Sequence, residues 1–183
     1  MQEAPAFTAV LFGLRGCLVQ AANGTALPTP GALDLLARLR TRQIPCIWLD
    51  DLNAAQGKRL TRVLPDWLPG HPLNGSKGPA PDACWQALMS LQSQRLDGCV
   101  LVSGEPLLLQ SALNAGLWTV GLAACEQASP HWQALNQQER ERARGKATLA
   151  LFGLGVHSVI DHLEALDACL ADIAQRRYKG EKP

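Results

Sequence analysis

The chain has 183 residues, a formal net charge of +1 and 18% charged residues, a length that suits one domain, 1–183, with room for a full core. A charge balance this even argues against a dominant nucleic-acid surface. No apolar run reaches the roughly 18 residues that span a bilayer, and no basic stretch leads into an apolar one at the start, so a cytoplasmic protein with neither nucleic-acid nor membrane partner is expected.

Taken in chain order, strand and helix patterns alternate. Ala9, Val10, Leu11 and Phe12 form a short apolar run of strand character, and Gly13 and Gly16 permit a sharp turn after it. Thr29 is placed to cap a helix with Pro30 at its first position and Leu33, Leu36 and Leu39 along it. Ile44 to Leu49 reads as a second strand, ended by Asp50 and Asp51, and a helix follows through Leu60 and Val63 as far as Pro65. Residues 65–78 are rich in Pro, Gly and Asn and read as loop with one short edge strand.

Pro79 to Leu91 then has a helical pattern, and Gly98 to Ser103 is a nearly continuous apolar strand of the fully buried kind. Glu105 opens a helix that closes at Asn114-Ala115-Gly116, with Gly116 as its C-cap, and Trp118 to Leu122 is the next strand. Ser129-Pro130 should cap one long polar helix carrying Glu139-Arg140-Glu141-Arg142. His157 to Ile160 is a last short strand, and Asp161 begins a final helix with Leu163, Leu166, Leu170 and Ile173 in one stripe. Such alternation predicts an α/β fold: a Rossmann-like parallel sheet of five to six strands with helices on both faces. In open sheets of this kind ligands bind beyond the carboxyl ends of the strands, which singles out Gly13 to Cys17, Asp50 and Asp51, Ser103 to Glu105, and Lys77 in the loop before its helix.

The six cysteines, Cys17, Cys46, Cys84, Cys99, Cys125 and Cys169, are dispersed without a C-x-x-C pair. Most sit in apolar patterns and read as small buried hydrophobes, not as a zinc site or a disulfide framework. Cys17 stands apart because it lies near Arg15 on a glycine-bounded loop, yet no histidine base is close in sequence.

The stretch Phe12-Gly13-Leu14-Arg15-Gly16-Cys17-Leu18-Val19 resembles the first motif of the haloacid dehalogenase (HAD) superfamily of hydrolases. In that family an aspartate directly after the strand attacks phosphorus, a carbonyl two residues on helps hold magnesium, and a glycine-threonine pair follows. Gly78-Pro79-Ala80-Pro81-Asp82 with Trp85, Cys99 to Val102, Leu113 to Gly121 and the segment Gly155 to Asp161 with its closing helix look like the phosphonatase branch, phosphonoacetaldehyde hydrolase. The resemblance runs from Thr8 to Pro183 and implies a HAD-like core.

The resemblance also shows what has changed. Gly13 stands at the nucleophile position, Arg15 at the second position, and Cys17 at the threonine. The serine or threonine of the second motif falls near Leu49 or Asp50; the basic residue of the third falls at Gly78, one place after Lys77; the acids of the fourth fall at Gly104 and Leu108. The branch also implies a helical cap with a Schiff-base lysine, yet only ten residues separate Val19 from Pro30 and no lysine precedes Lys58.

The expectation is therefore a capless, catalytically degenerate HAD-like protein without catalytic or metal-binding residues and without a cofactor, serving as a ligand-binding or protein-interaction module. Its candidate ligand-binding residues are Gly13, Arg15, Cys17, Asp50, Asp51, Lys77, Ser103, Gly104 and Glu105. Weak phosphate or another anion is one expected partner, and self-association or a protein partner at the carboxyl edge of the sheet, involving the loop from Gly13 to Pro30, is another; Leu14, Leu18, Leu107 and Leu108 come from this edge, where some stay uncovered unless the loop turns inward and buries them. Arg15 either forks onto Asp50 or Asp51 as an internal ion pair or binds the anion. The alternative is a hydrolase with a relocated site, in which Asp50, Asp51 and Glu105 gather a metal and water or Cys17 attacks a phosphate or phosphonate compound.

Overall fold

A computed structural model describes residues 6–22, 24–73, 78–124 and 129–183. Six parallel strands, β1 (Ala9–Gly13), β4 (Cys46–Asp50), β5 (Gly70–Pro72), β6 (Cys99–Ser103), β7 (Trp118–Leu122) and β8 (Ser158–Ile160), form one sheet in the order β5-β4-β1-β6-β7-β8. The alternation of side chains along a strand divides the core in two. Val10, Phe12, Val100, Val102, Trp118 and Val120 face one side, covered by α1 (Ala32–Thr41) and α7 (Leu166–Tyr178) through Leu35, Leu36, Leu39, Leu170 and Ile173. Ala9, Leu11, Cys99 and Leu101 face the other, covered by α3 (Asp82–Ser90), α4 (Pro106–Asn114) and Leu151 of α6 (Gln137–Gly153). Strands buried on both faces are expected to be apolar, as residues 9–12 and 99–102 are.

The connections out of β1 and β6 run to opposite sides of the sheet, which makes the carboxyl ends of these two neighbours the place where strand order reverses. Between β1 and α1 the described residues form an antiparallel hairpin, β2 (Val19–Ala22) with β3 (Thr25–Pro28), and no helical insertion. The short interval after Val19 concealed this hairpin from a reading by periodicity.

Several boundaries move. Thr29 does not cap α1: its hydroxyl donates to the Cys17 carbonyl, and the helix starts at Ala32 after Gly31. The second strand begins at Cys46, two residues later than its apolar run suggests. Pro81 precedes α3, so the helix opens at Asp82 and not at Pro79. The expected long helix after Ser129 is two: α5 (Pro130–Ala134), capped by Ser129, and α6, whose Asn136 and Glu139 form a reciprocal capping box. A 3-10 turn, Leu163–Ala165, precedes α7, while α2 (Ala54–Leu60), capped by Asn53, runs into a 3-10 turn at Thr61–Val63.

Candidate functional site

The loop after β1 turns inward. Leu14 donates to the Leu49 carbonyl at 3.2 Å and accepts from the amides of Leu18 and Val19, both at 3.0 Å; Gly16 adopts φ 72°, the left-handed region that glycine enters without steric cost. This curl buries Leu14 and Leu18 completely, the inward turn left open by the sequence; of the four leucines at this edge only Leu107 lies uncovered, and Leu108 is buried in the core against α3. It also lifts Arg15 onto the end of β4.

Arg15 grips both aspartates that follow β4. Its Nε donates to Asp50 Oδ1 and Oδ2 at 3.0 Å, its second guanidinium nitrogen reaches Asp50 Oδ1 at 2.6 Å and Asp51 Oδ1, and its backbone amide donates to Asp50 Oδ2 at 3.1 Å. Asp50 is 7% exposed, whereas the Arg15 side chain is 53% exposed. Burial alone would raise the Asp50 carboxyl, but the side-chain and backbone hydrogen bonds from Arg15 outweigh it and hold it below the ordinary carboxylate value. The same hydrogen bond to Asp50 raises the Arg15 guanidinium. Of the two roles open to Arg15 in the sequence, the ion pair is the one formed.

Ser103 closes the other side. Its side chain is buried, its Oγ accepts from the Glu105 amide at 3.0 Å, and that oxygen lies 2.7 Å from where a β-carbon on residue 13 would stand. Gly13 is thus the residue that lets Ser103 approach β1. Glu105 caps α4, its Oε1 accepting from the Leu107 amide at 3.3 Å.

These groups line a cavity of about 390 Å³ at the reversal point. Gly13, Arg15, Asp50, Asp51, Ser103 and Glu105, all candidates in the sequence, contribute to its wall, as do Leu14, Leu107 and Leu108, which the sequence placed at this edge as a partner surface; Leu49, Leu73, Ala83 and Ser111 were missed as lining, because their apolar or helical context gives no sign that they meet at one end of the sheet. Cys17 is not on this wall: its thiol donates to the Val102 carbonyl at 3.5 Å inside the core. Gly104 joins Ser103 to Glu105 without lining the cavity, and Lys77 lies outside the described residues.

Magnesium, which the resemblance implies, needs oxygen ligands. At the corresponding positions Gly13, Gly104 and Leu108 carry no side-chain oxygen, and of the carboxylates nearby Asp50 and Asp51 are engaged by a guanidinium while Glu105 caps α4. Among the described residues no three His, Cys, Asp or Glu side chains converge on a metal position. The residues present do not fit the ion.

No family model matches the chain. It is 31% identical to phosphonoacetaldehyde hydrolase of Salmonella gallinarum, over 85% of this chain and 62% of the enzyme, so the chain spans less than two thirds of the length of that relative. A solved structure 52% identical to it superposes with a TM-score of 0.89, covering 97% of this chain and 100% of the other. A phosphonoacetaldehyde hydrolase-like protein from Oleispira antarctica, 17% identical, gives a TM-score of 0.83 over 100% of both chains. A HAD-family hydrolase from Deinococcus radiodurans shares the fold at 19% identity and a TM-score of 0.65. In sequence the chain is similar to phosphonoacetaldehyde hydrolases, and its fold is that of the HAD-like structures.

Proposed function

We propose that this chain is a HAD-like binding module in which the phosphoryl-transfer loop has become a fixed structural clasp. The observation that carries the reading is the fork of Arg15 onto Asp50 and Asp51. A bidentate guanidinium-carboxylate contact is among the stronger polar pairs and places a permanent cation beside the end of β1. Gly13 offers no atom to attack phosphorus, and loss of a covalent nucleophile typically lowers turnover on the order of a million-fold.

The relocated-site reading has less support. Cys17 is turned into the core, and Asp50, both of whose oxygens are held by Arg15, would have to leave it before it could hold a metal or activate water, while Asp51 keeps one oxygen free. Purified protein with magnesium and a panel of phosphate and phosphonate compounds tests the choice: no turnover above background is expected. Magnesium-dependent turnover that disappears in Asp50→Asn would establish the hydrolase instead.

A further inference from the structure

The geometry points to a small organic ammonium compound bearing an uncharged oxygen as the ligand of the cavity at Gly13 and Ser103. The inference rests on reading that cavity as a binding site, and it adds a class of ligand opposite in charge to a phosphate.

Three observations carry it. The first is charge. The described side chains on the wall include three carboxylates, Asp50, Asp51 and Glu105, against one guanidinium, Arg15. The charge of Arg15 is offset by the two aspartates, on which its Nε and one terminal nitrogen are engaged, so an entering anion faces the surplus negative charge of the wall. A cation meets the reverse situation. Glu105 uses only Oε1 to cap α4, and Asp51, 73% exposed, uses only Oδ1 on Arg15, which leaves one oxygen of each for an ammonium group.

The second is an unmet donor. Ser103 is 1% exposed and lines the cavity, and its Oγ accepts from the Glu105 amide; among the described residues its hydroxyl proton has no acceptor. A buried donor left without a partner costs free energy, and a ligand oxygen that is neutral, such as a hydroxyl or carbonyl, satisfies it without adding negative charge. Ser111, the other hydroxyl on the wall, gives its proton to the Ala80 carbonyl.

The third is shape. A volume of about 390 Å³ lies in the range of small-molecule sites, and Leu14, Leu49, Leu73 and Leu108 provide apolar wall for a short carbon chain between the two polar ends. Glu105 and Ser103 are two residues apart, the first capping α4 and the second closing β6, so one compact molecule can address both.

A matched set of probes tests the inference: 4-amino-1-butanol, 1-butanol, 4-hydroxybutyrate and inorganic phosphate, each titrated at fixed ionic strength and followed by amide chemical shifts. The expected result is saturable binding of 4-amino-1-butanol with shifts at Ser103 and Glu105, weaker binding of 1-butanol, and none of the two anions. Glu105→Gln, which keeps a capping oxygen, should weaken the aminoalcohol about tenfold, the scale of a charge-assisted hydrogen bond, and Ser103→Ala should weaken both alcohols. Tighter binding of phosphate or 4-hydroxybutyrate, binding of none of the four, or an unchanged affinity in folded Glu105→Gln overturns it. Phosphate-ester turnover is a separate measurement, so failure of the ligand class and failure of the binding-module reading are distinguishable.

Discussion

The hydroxyl oxygen of Ser103 lies 2.7 Å from the point where a β-carbon on Gly13 would sit, and the Ser103 β-carbon lies 3.3 Å from that point. Contacts that short force a neighbour to move, and Ser103 is buried on a central strand with little room to do so. Gly13→Ala should therefore destabilise the protein by about 1–3 kcal/mol, the usual scale for overpacking, and Gly13→Asp by at least as much, with no appearance of phosphatase activity. Ser103→Gly should recover most of the loss when combined with Gly13→Ala. Urea unfolding of the two single variants and the double variant checks the coupling; additive effects would mean that the two sites do not clash.

Removing Arg15 leaves a nearly buried carboxylate without its partner. A fully buried pair broken in this way costs about 3–5 kcal/mol and an exposed pair about 1 kcal/mol or less. Because the Arg15 side chain is half exposed and Asp50 is not, Arg15→Met should cost about 2 kcal/mol, between those limits. Asp50→Asn in the Arg15→Met background should return part of it. The pair also sets an acid dependence: the folded Asp50 carboxyl lies below its ordinary 3.8, so its contribution is complete above that value and is lost as pH falls through the folded value. Arg15→Met should lose that portion of the acid slope in unfolding curves.

Magnesium should bind nowhere near the β1 loop. Calorimetric titration with magnesium chloride is expected to give only heats of dilution, and a chelator should leave the melting temperature unchanged. A saturable site of micromolar affinity whose amide shifts map to Gly13 and Ser103 would contradict the fit of residues described above.

His157 supplies a second pH window. Its Nδ1 accepts from the Thr119 amide at 3.0 Å, its ring packs against Trp118 with centroids 4.8 Å apart, and Arg176 donates to its carbonyl at 3.1 Å. Burial, with the charge of Arg176 adding to it, pushes the His157 imidazole below its ordinary 6.5. The native protein thus favours the neutral ring. Stability should be complete above about 6.5 and fall as pH drops from there through the folded value, because the unfolded chain takes up the proton first. In His157→Gln the decline between those two values should disappear.

Leu18 distinguishes a contact surface from a core position. It is fully buried, and a carboxylate there would have neither water nor a partner. Leu18→Glu is expected to unfold the protein, or to cost about 4 kcal/mol or more, with sedimentation showing aggregation or loss of folded material and not a clean change of oligomer. A folded Leu18→Glu protein of altered association state would show that the loop can turn outward.

The sequence by itself determined the class of the fold, a parallel sheet with helices on both faces. Strands buried on both faces, such as Val10 to Phe12 and Cys99 to Val102, are apolar whatever their neighbours, and helical patterns lie between them, so a parallel sheet of five to six strands was legible along with the loops at the carboxyl ends, whereas the order of the strands was not. The resemblance of the β1 loop and the later segments pointed to the phosphonoacetaldehyde hydrolases for the same reason: contiguous residues hold it. Helix starts were less legible where a side chain served something nonlocal, as Thr29 does in donating to Cys17. What only the tertiary structure decided was how charges and volumes meet across strands. Arg15 and Asp50 are 35 positions apart, and Gly13 and Ser103 are 90 apart. A guanidinium can choose an aspartate or a ligand anion with equal chemical propriety, and a glycine can be a lost nucleophile or a space kept for a neighbour. The curl that buries Leu14 and Leu18 fixes where Arg15 points, and the pairing of β1 with β6 fixes what stands over Gly13, because both follow from long-range packing that no local pattern encodes.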